Sequence, residues 1–365
     1  MLNNSETTRD DLPYWVALAH CLKLGPARFS LLRRSFTTMR QAWEASTAEL
    51  KAAALDAATV RALDEHRQTA DVEKLWQQLT VMGIEVFTIA DEYYPKLLKE
   101  IYDPPPVLFY RGDLGCLARP CLAVVGTRQA TTYGRRAADE LTSELAAAGF
   151  VIVSGLAYGI DAIAHRATLR SHGTTVAVLA NGLDTVYPTA HRDLAHDIVA
   201  ANGLLLSEFP PGVPALKQHF PQRNRTIAGL ARATLVIEGA RESGALITAR
   251  SALESNRDVM ALPGSIFSDQ SQGTNDLLKA GAHLVTSAND VLAVLGVESI
   301  TRTKLPPPSA AATALLNYLN DEPMHVDELA RSSGVAVADL MAQLTALELS
   351  GYVREVGGNR YIKLA

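Results

Sequence analysis

The chain has 365 residues, of which 48% are hydrophobic and 20% are charged, and its formal net charge at pH 7 is −5. This composition excludes a globally disordered chain and predicts a folded protein with one sizeable core and smaller satellite domains. It also excludes a uniformly basic surface, so a nucleic-acid site in this chain must be a local patch of positive charge.

The N-terminal segment and the cysteines predict a cytoplasmic protein. The segment MLNNSETTRDD is polar and acidic, and no later apolar run approaches the roughly 18 residues that span a bilayer. Cys21, Cys116 and Cys121 form neither a C-x-x-C pair nor an even disulfide set, which fits a reducing compartment. We therefore expect no export, no membrane insertion and three inert thiols.

Residues 1–102 are predicted to form a small helical domain. Leu, Ala and charged residues recur at helical spacing in YWVALAHCLKLGPARFSLLRRSF and in TADVEKLWQQLTVMG. CLKLGPARFSLLRR resembles half of a helix-hairpin-helix with Gly25 at its turn, so either Lys23 and Arg28 contact DNA or the segment is a plain packing module. Three prolines in DPPPVLFYRGD, Asp103 to Asp113, mark the connection to the next domain.

Residues 103–300 change to a pattern in which short apolar runs alternate with helical stretches. In chain order, the runs are CLAVVG, FVIVSG, TTVAVLAN, GLLLSEF, ATLVIEG, DVMALPG, AHLVTS and NDVLAVLG. Most are continuous rather than alternating, as expected of strands that crossover helices bury on both faces. The pattern predicts an α/β fold with a Rossmann-like, doubly wound, mainly parallel sheet.

Residues 301–365 are predicted to form a winged helix. The linker KLPPPSAAA, Lys304 to Ala312, leads into three helices and a hairpin that ends in GYVREVGGNRYIKL. Residues 305–365 carry four basic and seven acidic side chains, a net charge of −3, and the expected recognition helix VADLMAQLTALELS has no cation. Because a reader of the DNA major groove needs cations and base-edge donors, we expect this domain to bind protein.

The first anion site is predicted after CLAVVG, because ligands of an open parallel sheet bind at the carboxyl ends of its strands. Gly126, Thr127 and Arg128 stand there, just before a helix start, and combine close backbone approach with free N–H groups and a fixed cation. The sequence has no G-x-G-x-x-G, and the next strand ends at Gly155 without the carboxylate that holds a ribose. NAD and FAD are therefore not expected.

Two later helix starts carry further candidates. Asp161 and His165 lie four residues apart on one helix face, either as an acid–base pair or as a dipole partner and a packing residue. Ser243 and Gly244 begin another helix and offer free N–H donors.

Hydrolytic and metal-binding signatures are absent from the sequence. It contains no G-x-S-x-G, no H-E-x-x-H and no clustered His/Cys set, and His191 and His196 lie five apart in an expected surface helix. We expect no catalytic residue, no metal and no cofactor.

The stretch FPQRNRTIAGLA, Phe220 to Ala231, is predicted to be a loop that passes into a helix of small residues. Lys217, Arg223 and Arg225 lie in or just before it, without a carboxylate, and the Phe220 ring lies among them. Cations that follow a backbone and a ring that stacks on a base suit single-stranded nucleic acid. The alternative is that an arginine pairs with a carboxylate at a neighbouring strand end, at Glu208, Glu238 or Glu242.

Seven motifs, in order, together resemble the DNA-processing protein A (DprA/Smf) family. They are GTRQATTYG, SGLAYGIDAIAH, GLDTVYP, SEFPPGVPALKQHFPQRNRTIAGLA, EGARESGALITAR, DVMALPGS and QGTNDLLKAGAHLVT, and they span about residues 90 to 297. The resemblance implies a dimeric, non-enzymatic single-stranded DNA-binding protein of the bacterial cytoplasm, with a SAM-like helical domain at its N-terminus. It also implies that the protein coats incoming DNA during natural transformation and loads the RecA recombinase onto it.

The resemblance assigns roles to individual residues. The family's anion-binding arginine looks like Arg128, its basic position before the aromatic looks like Lys217, and its F-P-x-R-N-R matches FPQRNR. Thr127 stands where serine is commoner, and Asn181 stands where small residues are frequent. The residues expected to contact DNA are Gly126, Thr127, Arg128, Gly155, Lys217, His219, Phe220, Arg223, Asn224, Arg225, Ser243 and Gly244.

An enzyme is the alternative function. Nucleoside-monophosphate phosphoribohydrolases of the cytokinin-activating (LOG-like) type have similar sheets and a nucleotide pocket lined by glycine turns. Their P-G-G-x-G-T-x-x-E loop carries the catalytic glutamate, whereas PGSIFSDQ of this chain has none.

Overall fold

The computed structural model describes residues 10–298, 310–319, 322–350 and 352–363. These residues divide into two compact units, one within residues 1–300 and one within residues 301–365. None of the helices in these ranges is long and apolar enough to cross a membrane.

Six helices come first in the larger unit. They are α1 (Leu12–His20), α2 (Pro26–Ser35), α3 (Met39–Glu44), α4 (Thr47–Ala52), α5 (Ala57–Thr69) and α6 (Val72–Val81). Side-chain caps begin several of them, such as the capping box of Ser46 and Glu49 at α4. Arg28 on α2 donates to the Asp56 carboxylate over 2.9 Å, whereas Lys23 is exposed. A DNA contact by Lys23 or Arg28 stays a prediction.

Nine strands form one sheet. They are β1 (Glu85–Thr88), β2 (Val107–Gly112), β3 (Cys121–Val125), β4 (Val151–Ser154), β5 (Thr175–Leu179), β6 (Leu204–Ser207), β7 (Ala233–Val236), β8 (Asp258–Ala261) and β9 (His283–Leu284). Their order is β1-β2-β6-β5-β4-β3-β7-β8-β9. The pairs from β6 to β9 are parallel, and only β1 with β2 and β2 with β6 are antiparallel. The predicted doubly wound, mainly parallel sheet is confirmed.

The strands explain the continuous apolar runs of the sequence. In β3, Ala123 and Val125 belong to one buried core, whereas Leu122 and Val124 belong to a second core on the opposite face. The first core also contains residues of the N-terminal helices. Strand β1 comes before residue 103 in the chain and already belongs to the sheet. The predicted domain boundary after residue 102 stays a prediction.

Eight helices follow the start of the sheet. They are α7 (Lys96–Lys99), α8 (Thr132–Ala147), α9 (Ile160–Arg170), α10 (Arg192–Ala200), α11 (His219–Leu230), α12 (Gly244–Glu254), α13 (Asp269–Lys279) and α14 (Ala288–Val294). From β3 the strand order proceeds in one direction to β6, and from β7 it proceeds in the other direction to β9. The carboxyl ends of β3 and β7 therefore form the topological switch point, where open α/β sheets bind ligands.

Two segments differ from the sequence prediction. The stretch FPQRNR lies in the first turns of α11 rather than in a loop. Pro221 is the third residue of that helix, where the missing N–H has no intrahelical partner to lose. NDVLAVLG, grouped with the strand-like runs, contains helix α14, because Ser287 and Asp290 form a capping box at its start.

His191 and His196 are predicted to lie in one surface helix, and the structure separates them. His191 ends a 3₁₀ turn and is buried, with Nδ1 2.8 Å from the Leu156 carbonyl oxygen. His196 is exposed on α10.

The smaller unit is a winged helix, as predicted. It contains α15 (Ala310–Leu316), β10 (Met324–His325), α16 (Val326–Ser333), α17 (Val337–Leu349), β11 (Val353–Glu355) and β12 (Arg360–Lys363). The strands pair antiparallel in the order β10-β12-β11. Leu329, Leu340 and Leu344 are fully buried in its core. Most of the predicted linker Lys304 to Ala312 lies outside the described residues.

Candidate nucleic-acid interface

A cavity of about 410 Å³ opens at the switch point of the sheet. The loop after β3 and the first turns of α11 and α12 line it. Eight predicted site residues are in its lining: Gly126, Thr127, Arg128, Phe220, Arg223, Asn224, Ser243 and Gly244. The other four, Gly155, Lys217, His219 and Arg225, are not.

The backbone of the loop after β3, which carries Arg128, is held in place by close packing and hydrogen bonds. A Cβ on Gly126 would lie 2.5 Å from Cγ1 of Ile160, which only glycine avoids. The Thr127 N–H donates to the Glu238 carbonyl oxygen over 2.7 Å. The buried Glu238 carboxylate accepts from the N–H of Thr131 over 2.9 Å and from its hydroxyl over 2.7 Å. Glu238 thus holds the start of α8, and the structure shows no arginine paired with it among the described residues.

The Phe220 ring is half-buried and has cations next to it. The guanidinium carbon of Arg128 lies 5.1 Å from the ring centroid, and that of Arg223 lies 5.8 Å from it. Both distances are in the range of cation–π attraction. The exposed Arg128 side chain therefore occupies the ring surface on which the sequence predicts that a base stacks.

Arg223 is a buried arginine whose partners are mainly backbone carbonyls. It donates to the carbonyl oxygens of Gly155 and Val178 and to Oδ1 of Asn224. Burial lowers the pKa of Arg223 to about 10, although the Asp161 carboxylate opposes that shift, so the side chain stays charged at neutral pH. A Cβ on Gly155 would lie 2.5 Å from its guanidinium carbon. The role of Gly155 in this structure is to leave room for Arg223.

Arg225 points to a carboxylate instead of the cavity. Its Nη2 lies 3.2 Å from Oε2 of the buried Glu208, and its Nη1 lies 3.8 Å from the Asp103 carboxylate. Burial raises the pKa of Glu208, and the charge of Arg225 opposes that rise. This is the ion pair that the sequence offered as the alternative to a DNA contact.

Lys217 and His219 lie on either side of the start of α11 and have different environments. Lys217 is exposed, and the described part of the chain provides no ion-pair partner for it. His219 is buried, and its ring stacks on Phe209 with centroids 4.1 Å apart. Lys217 is thus available to a ligand, whereas His219 packs the start of the helix.

The start of α12 is capped and tied to α11. The Ser243 hydroxyl accepts from the Ala245 N–H over 3.3 Å, and Nδ2 of Asn224 donates to the Gly244 carbonyl oxygen over 3.2 Å. This helix start faces the cavity with N–H groups, the arrangement that favours an anion.

Asp161 and His165 have separate partners and do not form an acid–base pair in this structure. The buried Asp161 carboxylate accepts from the N–H groups of Gly155 and Ala157 over 3.2 and 3.3 Å. Nδ1 of His165 lies 2.7 Å from the Thr175 hydroxyl, and burial lowers the pKa of His165 to about 3. His165 is therefore neutral at physiological pH and packs against the sheet.

No group of three or more His, Cys, Asp or Glu side chains is placed to hold a metal ion within the residues that the structure describes. The three cysteines are free and buried, and burial raises the pKa of Cys116 and Cys121 to about 12. The Cys116 and Cys121 thiols are therefore protonated at neutral pH.

Two family models match the chain. One, described as DNA recombination-mediator protein A, matches residues 85–296, and the other, described as the DprA winged helix domain, matches residues 299–359. The chain belongs to the DprA family. The family predicted from the seven motifs is thereby confirmed.

Named relatives of the DprA family agree with this assignment. The protein Smf of Synechocystis is 35% identical over 95% of this chain and 98% of its own length. The DNA processing protein DprA of Streptococcus pneumoniae is 48% identical over 57% of this chain and 73% of its own length.

Two solved DprA structures resemble this one. The structure of DprA from Streptococcus pneumoniae matches this one with a TM-score of 0.69 and 36% sequence identity. The match covers 79% of this chain and 99% of the Streptococcus pneumoniae chain. The DNA processing protein A of Helicobacter pylori, whose structure concerns its single-stranded DNA binding mode, has a TM-score of 0.53 and 32% identity, and covers 58% of this chain and 95% of its own.

Sequence reasoning missed two exposed aromatic residues at this edge of the DprA sheet. The Tyr187 ring lies 5.9 Å from the Phe220 ring, and Tyr158 follows β4 next to Ala157, which lines the cavity. Their signal was present in GLDTVYP and SGLAYG, since each aromatic stands in the loop after a predicted strand.

Proposed function

We propose that the chain binds single-stranded DNA at the switch-point cavity and acts in DNA processing during recombination. The observation that carries this proposal is the exposed Arg128 guanidinium lying over the half-buried Phe220 ring at the cavity, with Lys217 exposed nearby in sequence. Within the described ranges, neither cation has an ion-pair partner. A ring beside unpaired cations is what non-specific single-strand binding requires.

Binding exchanges one contact of Phe220 for another. In this proposal a base stacks on the ring face that Arg128 covers in the free protein, and Arg128 turns to the adjacent phosphate. Arg223 stays in place, because two strand-end carbonyls hold it, so Arg128 and Lys217 are the cations that meet phosphates in this proposal. Since duplex DNA hides the faces of its bases, this arrangement favours single strands.

The finer function rests on membership in the DprA family. The proposal includes protection of incoming DNA in natural transformation, loading of the RecA recombinase, assembly as a homodimer and a place in the bacterial cytoplasm. The relatives named DNA processing protein, and the single-stranded DNA binding of the Helicobacter pylori relative, support it. The winged helix, with a net charge of −3 over residues 305–365, serves a protein partner in this proposal.

The proposal assigns the cavity no catalytic role, and nothing in the site favours the phosphoribohydrolase alternative. The loop after β8, PGSIFSDQ, lacks a glutamate. Incubation of the purified protein with AMP separates the two functions, because an enzyme of the alternative class releases adenine and a DNA-binding protein does not.

Titration of single-stranded and duplex oligonucleotides of equal length, at one salt concentration, tests the proposed function. We expect tighter binding to the single strand, and Phe220→Ala should weaken it by about 1–3 kcal/mol, the usual value of one base–aromatic stack. Phe36→Ala is the matched control, because Phe36 is also half-buried but packs against the first core of the larger unit and does not line the cavity. Equal affinity for duplex and single strand, or normal binding by Phe220→Ala, would refute the proposal.

A further inference from the structure

Two exposed tyrosines lie in loops at the carboxyl edge of the sheet, and one of them contacts the Phe220 ring. Tyr187 follows β5 and Tyr158 follows β4, and their exposed fractions are 49% and 50%. The rings of Tyr187 and Phe220 have centroids 5.9 Å apart and planes tilted by 58°. Large rings that are half exposed beside a binding cavity are available to a flat ligand.

The Tyr158 ring is held in place by a buried neighbour. It meets the His191 ring with centroids 5.0 Å apart and an interplanar angle of 64°. His191 is itself fixed, since it is buried and its Nδ1 lies 2.8 Å from the Leu156 carbonyl oxygen. His191 also lies four residues after Tyr187 on the same connection. A ring held in this way loses little entropy when a ligand stacks on it.

The charges and the position of these rings favour single-stranded nucleic acid over a protein partner. Phe220 and Ala157 line the cavity. Tyr187 adjoins it through the ring contact with Phe220, and Tyr158 is the residue after Ala157 in the chain. Arg128 lies over Phe220, and Lys217 is exposed one turn before it. At the cavity, Arg128 is thus available to a phosphate and the rings are available to bases, and the lining also includes the acidic Asp161 and Glu242.

We propose that Tyr187 and Tyr158 stack on bases that neighbour the base on Phe220, so that the three rings form one binding strip. This inference rests on the proposed function, because it requires a single strand in the cavity. In this proposal the loops after β4 and β5 contact the nucleotides next to the one that stacks on Phe220.

The test compares two oligonucleotides with equal numbers of phosphates, one of thymidines and one of abasic sites. Tyr187→Ala and Tyr158→Ala should each weaken binding of the thymidine strand about tenfold, within the range of one lost stack. Neither should change binding of the abasic strand, which has no base to stack. Tyr187→Phe should recover most of the lost affinity, because it keeps the ring.

Tyr93→Ala is the control for loss of an exposed tyrosine. Tyr93 follows β1, an edge strand of the sheet, and is 59% exposed. Thermal unfolding of each variant shows whether it keeps the parent fold.

Three results would overturn the inference. Parent-like binding of thymidine strands by both alanine variants would remove the tyrosines from the footprint. Equal losses on thymidine and abasic strands would show that the substitutions disturb the loops rather than a stack. Failure of the parent protein to bind either strand would overturn the proposed function and this inference together, whereas the first two results leave the proposed function standing.

Discussion

The salt dependence of DNA binding measures how many cations contact phosphates. The structure lowers the expected number of these contacts from four to two. For single strands, the logarithm of the binding constant falls with the logarithm of salt concentration by about 0.7 per phosphate contact. Lys217, Arg128, Arg223 and Arg225 together predict a slope of about −3 per protomer from the sequence. Because Arg223 is buried against carbonyls and Arg225 is paired with Glu208, two cations remain and the slope should be about −1.4.

Single substitutions test each member of that count. Arg128→Gln and Lys217→Gln should each make the slope shallower by about 0.7, because each removes one phosphate contact. Arg225→Gln should leave the slope unchanged, since its charge already has a carboxylate partner 3.2 Å away. Phe220→Ala should weaken binding with nearly the parent slope, because stacking releases no counterion.

Fluorescence anisotropy of a labelled thymidine strand, titrated over a series of salt concentrations, measures these slopes. A parent slope near −3, or an Arg225→Gln slope shallower by about 0.7, would refute the count of two. A shallower slope for Arg225→Gln would mean that Arg225 leaves Glu208 when DNA binds. A parent slope near −3 would mean that cations beyond Arg128 and Lys217 also meet phosphates.

Three further predictions concern stability and the winged helix. Gly155→Ala should destabilise the protein by about 1–3 kcal/mol in urea unfolding, because its Cβ would lie 2.5 Å from the Arg223 guanidinium carbon, whereas Gly244→Ala, with open space at that position, should not. Arg225→Ala should lower the free energy of unfolding by roughly 3 kcal/mol at pH 7 and by less at pH 5. The pKa of Glu208 is already raised by burial, and it would rise further without the Arg225 charge. The folded variant then keeps a proton on Glu208 that the unfolded chain releases, so the variant loses stability as pH increases above about 4.3. Equal costs at both pH values would contradict this. Deletion of the winged-helix unit should leave oligonucleotide affinity nearly unchanged, and a large loss would show that its wing contacts DNA.

The sheet and the clustering of most predicted site residues were predictable from the sequence, because both depend on local patterns. Runs such as CLAVVG and FVIVSG are apolar at every position, and that pattern requires two buried faces, which the two cores on either side of β3 supply. Glycines and Arg128 follow strand ends, and the carboxyl ends of parallel strands meet at one edge. Most predicted site residues therefore line one cavity.

The direction of individual side chains was not predictable, because it depends on partners far away in the chain. Arg225 meets Glu208 across 17 residues, and Arg223 meets Gly155 across 68 residues. The sequence predicts a loop at FPQRNR, whereas Pro221 is compatible with the first turn of a helix. In that helix, Arg223 and Arg225 point in different directions. His191 is predicted to lie in a surface helix, but it is buried and its Nδ1 lies 2.8 Å from the Leu156 carbonyl oxygen.

The helix at FPQRNR explains how two arginines of one motif have different partners. Residues two apart on an α-helix point about 200° apart, because each residue turns the helix by about 100°. Arg223 and Arg225 of α11 therefore cannot face the same cavity. Arg225 meets the Glu208 carboxylate, which cancels its charge. Arg223 meets two neutral carbonyls instead, which fix its position, and the Asp161 carboxylate opposes its charge. Because Asp161 and Glu242 also line the cavity, the exposed Arg128 is the lining cation that is available to a phosphate, which is why the salt slope counts Arg128 and not Arg223.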